Sequence, residues 1–301
     1  MAFAFEHQGR VATQVRQIAA KQVENALEEC RNRDDFDETV HKLRRRCKKV
    51  RGLLRIIKPH FKDFDKENAA FRDAANGLSA VRDAAVMGET FEALLDYDRS
   101  EGGGKISNAL ADAVKLHLSE RLNSIREQTD NNALLDAFSE KMTQAQKRIE
   151  RWTLERGGFE GIGDGLALTY SRMRKRMRAA EKDGEAQHFH DWRKDVKYHL
   201  HHVSLFEEAA PDILEWSDEL LDNLGTYLGD HHNLAVLDQL LIDDPGSIAV
   251  EELAAVHEAI KAQEADFEKK ALKLGRQLAA EKPSHLEARF EDYWSLLPEK
   301  S

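Results

Sequence analysis

The sequence predicts an all-α protein built as two pseudo-symmetric antiparallel helix bundles, and three observations carry that prediction. Nearly every long segment repeats its apolar residues with a 3.6-residue period, and none alternates apolar and polar residues like a half-buried strand. Proline occurs only five times in 301 residues, each where a helical period breaks off. A histidine-led basic segment starting at His41 recurs from His190 with nearly the same angular layout.

The periodic segments place helices at about 9–30, 36–58, 65–75, 78–97, 105–127 and 131–155 in the N-terminal half. In the C-terminal half they fall at about 164–182, 186–208, 212–227, 231–242, 248–280 and 284–296. The breaks coincide with Pro59, Gly102 to Gly104, Gly157-Gly158, Pro211, Asp244-Pro245 and Pro283. Short connections of this kind join antiparallel neighbours. The chain therefore reads as one domain over 1–301, with halves of about 8–155 and 160–296. The glycine-rich stretch Gly157 to Gly165 follows a helix rather than a strand, and no G-K-[ST] comes after it, so it reads as a hinge and not a nucleotide loop.

Composition narrows the function classes. At 41% hydrophobic there is material for a core, yet no apolar run approaches the roughly 18 residues that span a bilayer. The start MAFAFEHQGRV lacks the basic stretch and apolar run of a secretory signal, so a cytoplasmic location is expected. Cys30 and Cys47 have no C-x-x-C spacing, which argues against a disulfide framework or a structural zinc.

Charge is the informative part. From His41 to Lys62 the chain carries ten Lys or Arg and no acid, although its net charge is −10. Most charged helix faces mix signs at i and i+4, because such pairs support the helix. This one does not, so the segment reads as reserved for an anion. On a helix, His41, Arg44, Lys48, Arg51 and Arg55 fall within roughly an 80° stripe, beside a separate apolar face of Leu43, Val50, Leu53, Leu54 and Ile57. The second segment repeats the arrangement: His190, Arg193, Lys194, Lys197 and His201 share one face, and Trp192, Val196, Leu200, Val203 and Phe206 another. Apposed basic helices would line a shared groove or tunnel. Between Phe206 and Glu268, by contrast, seventeen acids face a single base, Lys261, which would focus a polyanion on the basic stripes.

Metal and catalytic chemistry find less support. His199, His201 and His202 diverge around their helix, and His231 and His232, read as following a glycine turn, lack ligand spacing; no metal or cofactor is expected. Asp63-x-Asp65-x-Glu67 lacks the glycine of a calcium loop. No acidic cluster within the basic motifs would hold Mg²⁺, and no Ser or Cys has the neighbours of a nucleophile.

Four motifs, in order, carry a family resemblance. The pattern H-x-x-R-x-x-x-K-x-x-R-x-x-x-R from His41 to Arg55 resembles the first motif of the CHAD family, the conserved histidine α-helical domain. His190-x-x-Arg193-Lys194-x-x-Lys197 resembles its second copy, Tyr170 to Lys175 its Y-x-R-x-R-[RK] helix, and Leu228 to Leu237 its LGD segment. The resemblance covers about residues 8–295. It implies two four-helix halves around a central basic channel, lined by helices 36–58, 164–182 and 186–208, that binds inorganic polyphosphate without catalysis. The contacts it implies are His41, Arg44, Arg45, Lys48, Arg51 and Arg55 on one side, and Tyr170, Arg174, His190, Arg193, Lys194 and Lys197 on the other. Association with polyphosphate granules would follow. The chain departs from the family at Leu200-His201, where an Arg-Tyr pair is common, at Asn233, where Asp is usual, and at Ala85, where a second acid is common. The first helix therefore carries the greater weight.

The ligand chemistry agrees with the stripe. Polyphosphate is flexible and offers no bases to read, so it calls for a line of fixed cations, with Arg holding oxygens bidentately and Lys acting as a point charge. Two alternatives differ in kind: a metal-dependent polyphosphate or triphosphate hydrolase, and a docking module for RNA or an acidic protein. RNA reading adds exposed aromatics that stack on bases, and the stripe from His41 to Arg55 has none.

Overall fold

Asp35 begins the central helix by accepting a hydrogen bond from the backbone N–H of Glu38 at 3.0 Å, with Asp37 and Glu38 in the first turn and Arg55 in the last. Each charge thus sits at the helix end whose dipole favours it. In a computed structural model covering residues 3–31, 33 and 35–299, this helix is the second of eleven among the described residues, which contain no strand. The helices are α1 (Val11–Glu29), α2 (Phe36–Ile56), α3 (Phe64–Asn76), α4 (Ser79–Ser100), α5 (Asn108–Glu127) and α6 (Asn131–Ile149). There follow α7 (Glu160–Asp183), α8 (Ala186–Leu205), α9 (Pro211–Asp243), α10 (Val250–Leu278) and α11 (Pro283–Leu296).

The apolar face read from the sequence is the one α2 buries. Leu43, Leu53, Leu54 and Ile57 are fully inaccessible, each contributing about 1.5–3 kcal/mol through burial. That face meets α1 and α3, while α2 also crosses α7 and α8. One core cluster gathers α1, α2, α3, α6, α7, α8, α11, the first half of α9 and the last turns of α10. A second gathers α4, α5, the last turns of α9 and the first half of α10. Helix α9 serves both because its 33 residues reach about 50 Å. Among the described residues no helix is long and apolar enough to cross a membrane.

Two expectations are corrected. The segments 212–227 and 231–242 form one continuous helix, so His231 and His232 follow no glycine turn; Gly225 and Gly229 lie buried inside α9. The stretch Gly157 to Gly165 is only in part a joint. Gly158, at φ +58°, makes the turn, but Gly161, Gly163 and Gly165 lie within α7. A Cβ on Gly165 would stand 1.8 Å from the Ile56 carbonyl oxygen, so this glycine lets α7 touch the end of α2.

Candidate anion-binding site

The two basic helices meet through another glycine. A Cβ on Gly52 of α2 would lie 2.7 Å from Cβ of His201 on α8, so only glycine permits this approach. The buried His202 Nε2 donates to the Gly52 carbonyl at 3.0 Å, and burial keeps its imidazole well below its ordinary pKa and neutral. Helix α9 then runs antiparallel to α8, with Gly225 against Lys197, Gly229 against Arg193 and His232 stacked on His190 at 4.0 Å between ring centroids.

Cations from α2 and α8 converge at this crossing. Lys48 is open to solvent on one side and forms no ion pair. Protein packed around its flanks, then the charges of Arg193, Arg44 and Lys197, push its pKa down to about 8, with Asp83 opposing. Arg44 donates to the Ala75 carbonyl at the C-terminal end of α3 at 3.0 Å and lies 3.7 Å from Asp83. Burial lowers the pKa of Arg193, Asp230 opposes, and its Nε has no hydrogen-bond partner. Lys197 pairs with Asp222 at 2.9 Å. Further along α2, Arg51 donates to Asn68 Oδ1 at 3.2 Å, and Arg55 lies 4.1 Å from the ring centroid of Tyr198 with its buried Nε unpartnered. Fixed guanidinium and ammonium groups from two helices, several with unsatisfied donors, suit a linear anion.

A sequence profile of the CHAD domain matches residues 13–242. The chain belongs to the CHAD family. The crystal structure of the CHAD domain from the plant Ricinus communis aligns over 93% of this chain and 95% of that one, with a TM-score of 0.56 at 16% identity. At that identity the likeness speaks for the fold alone. No curated protein matches the chain.

Four histidines of the CHAD chain, His41, His190, His201 and His232, sit in the same positive field. His41 is exposed, and His190 half-buried with its Nδ1 unpartnered. Burial, then neighbouring cations (Arg82 for His41, Lys194 and Arg193 for His190), lowers both pKa values. His232 is pushed to about 3 by burial, then by His190 and Arg193. His201 is also pushed to about 3, by burial and then by Lys49 and Lys197. Lys194, exposed, pairs with Asp191 at 2.9 Å, and Arg45 projects outward with no partner.

Two residues expected on the wall are placed elsewhere. The Tyr170 hydroxyl donates towards the Leu278 and Glu281 carbonyls, at 3.0 and 3.2 Å, and Arg174 Nε donates to the Ala279 carbonyl. Both tie α7 to the end of α10. The α7 residues that face α8 are Arg172 and Arg176, each 3.1 Å from the buried carboxylate of Asp195. Burial raises the pKa of Asp195, against the pull of Arg172, Arg176 and Arg55. The i, i+4 spacing of Arg172 and Arg176 was the available signal, but Arg174, Lys175 and Arg178 surround it on the same helix. Tyr198 was also missed. An aromatic does stand beside the stripe, although Arg55 occupies one of its faces.

Among the described residues no three His, Cys, Asp or Glu side chains converge as a metal-binding group. Two cavities of about 420 Å³ lie away from the basic crossing, one between His60, Asp164 and Glu287, the other between Glu29, Thr39 and Arg46.

Proposed function

We propose that this CHAD-family chain is a non-catalytic binder of inorganic polyphosphate, held along a groove where α2 crosses α8. The observation that carries the reading is Lys48. An ammonium in the field of Arg193, Arg44 and Lys197, opposed by Asp83 and forming no ion pair of its own, is costly unless an anion relieves it. From His41 to Arg55 the stripe runs about 21 Å, long enough for several phosphates. Arg44, Lys48, Arg51 and Arg55 hold oxygens from α2, Arg193 and Lys197 neutralise the opposite side from α8, and Arg45 and Lys194 extend the field at the rim. The protein acts in the cytoplasm and associates with polyphosphate granules.

The test is calorimetric titration at near-physiological salt without divalent metal, using long polyphosphate and single-stranded RNA of equal charge. Selective binding of polyphosphate, lost in the Arg44→Glu/Lys48→Glu/Arg51→Glu variant with helicity retained, supports the reading. Equal binding of both ligands makes the crossing a general polyanion patch. Binding of neither, or turnover of polyphosphate once Mg²⁺ or Mn²⁺ is added, overturns it.

A further inference from the structure

The first turns of α9 expose an apolar stripe that the polyphosphate reading does not use. Ile213, Trp216 and Leu220 are 54%, 68% and 40% exposed. At i, i+3 and i+7 they lie within about 60° of one another, adjoining the buried Leu214, Leu221 and Leu224. An exposed tryptophan is unusual in this chain, because Trp152, Trp192 and Trp294 are all at least 94% buried. Immediately beyond the stripe stand Asp212, Glu215 and Glu219, exposed and in no ion pair, with Glu207 and Glu208 on the preceding turn. From Phe206 to Thr226 there is no Lys or Arg at all.

We propose that this surface docks a basic amphipathic helix of another protein, whose apolar face covers Trp216 and whose Lys and Arg side chains meet the unpaired carboxylates. The charge argues for that occupant over others. Two copies of this face brought together would oppose like charges. The chain's own basic helix, α2, cannot serve a second copy, since Leu43, Leu53 and Leu54 are buried in the core. An anionic leaflet repels the carboxylates. A basic helix satisfies both features at once: burying a tryptophan anchor gives affinity, and the acidic border selects the partner by sign. The apolar stripe is separate from the crossing, because Ile213, Trp216 and Leu220 lie at least about 120° around α9 from Asp222, Gly225 and Gly229, which meet Lys197 and Arg193, with Glu215 and Glu219 between.

The probe is a synthetic helix of about five turns with Leu at i, i+3, i+4 and i+7 and Lys or Arg elsewhere. Its control is a scrambled peptide of the same composition. Tryptophan emission and the anisotropy of the fluorescein-labelled peptide are read together. The expected result is a blue shift with the amphipathic peptide, at least about tenfold tighter binding than the scramble, and about tenfold loss in Trp216→Ala and in Glu215→Lys/Glu219→Lys. These positions are on the surface, and circular dichroism verifies that the variants remain folded. Equal binding of the scramble, or unchanged binding by both variants, overturns the proposal. So does a blue shift with phosphatidylcholine–phosphatidylserine vesicles in place of the peptide, or a concentration-dependent dimer abolished by Trp216→Ala.

Discussion

Replacing Lys48 by methionine should move stability and binding in opposite directions. The aliphatic stem is kept and the ammonium removed from among Arg44, Arg193 and Lys197. The distance between the pKa of about 8 in the fold and the ordinary value near 10.5 corresponds to about 3 kcal/mol against folding with the proton on. Because the side chain opens to solvent, screening reduces this to about 1 kcal/mol. The fold binds this proton less tightly than the unfolded chain does. The penalty is therefore complete below pH 8, shrinks as pH rises to the unfolded value, and is gone above it. Thermal melts in low salt should show the methionine variant about 1–3 °C more stable at pH 7, with the gap closing by about pH 10.5. Polyphosphate affinity should fall about tenfold, and its log–log salt slope should become shallower by about 0.7, the loss of one phosphate contact. A variant less stable than the parent at pH 7, with unchanged affinity, would refute both the relieved-cation account and the contact.

Salt should weaken polyphosphate binding steeply: with roughly eight phosphate contacts the log–log slope of affinity against salt is expected near −5 to −6, and a slope near zero means the cations do not meet phosphate. Binding should tighten as pH falls below neutrality. The free-state pKa values of His41 and His190 are depressed by burial and neighbouring cations, a bound anion raises them, and complex formation then takes up protons, seen as buffer-dependent heats in calorimetry. Constant affinity between pH 7.5 and about 5.5 would remove these histidines from the site. Gly165→Ala forces a Cβ against the Ile56 carbonyl oxygen and should cost about 3 kcal/mol or more in chemical denaturation, since both clashing groups are backbone.

What could be read in advance was whatever depended on one helix at a time. The cationic stripe and apolar face of α2 followed from periodicity, and burial of Leu43, Val50, Leu53 and Leu54 matches it residue by residue. What depended on a neighbour was hidden. Gly229 looked like a helix end because the residue requiring its missing side chain, Arg193, lies on α8. On α7, cations at 172, 174, 175, 176 and 178 surround the helix, so their spacing cannot say which face meets α8. The pair Tyr170 and Arg174 lies about 200° around from Arg172 and Arg176, and only the packed partner distinguishes the two. Tyr198 likewise acquires meaning only once α2 lies against it.

The antiparallel register of α8 and α9 has a practical consequence for anyone engineering this scaffold. Helix-interior glycines are the usual first targets for thermostabilisation, and alanine at such positions commonly gains up to about 1 kcal/mol. At Gly225 the added methyl would meet only the tip of Lys197, and at Gly229 it would approach Arg193 at 3.3 Å. Both side chains are long enough to swing aside, so melting curves would record success while the charges were displaced from the place where they converge. A screen by heat alone would thus select a sturdier protein with a misaligned site.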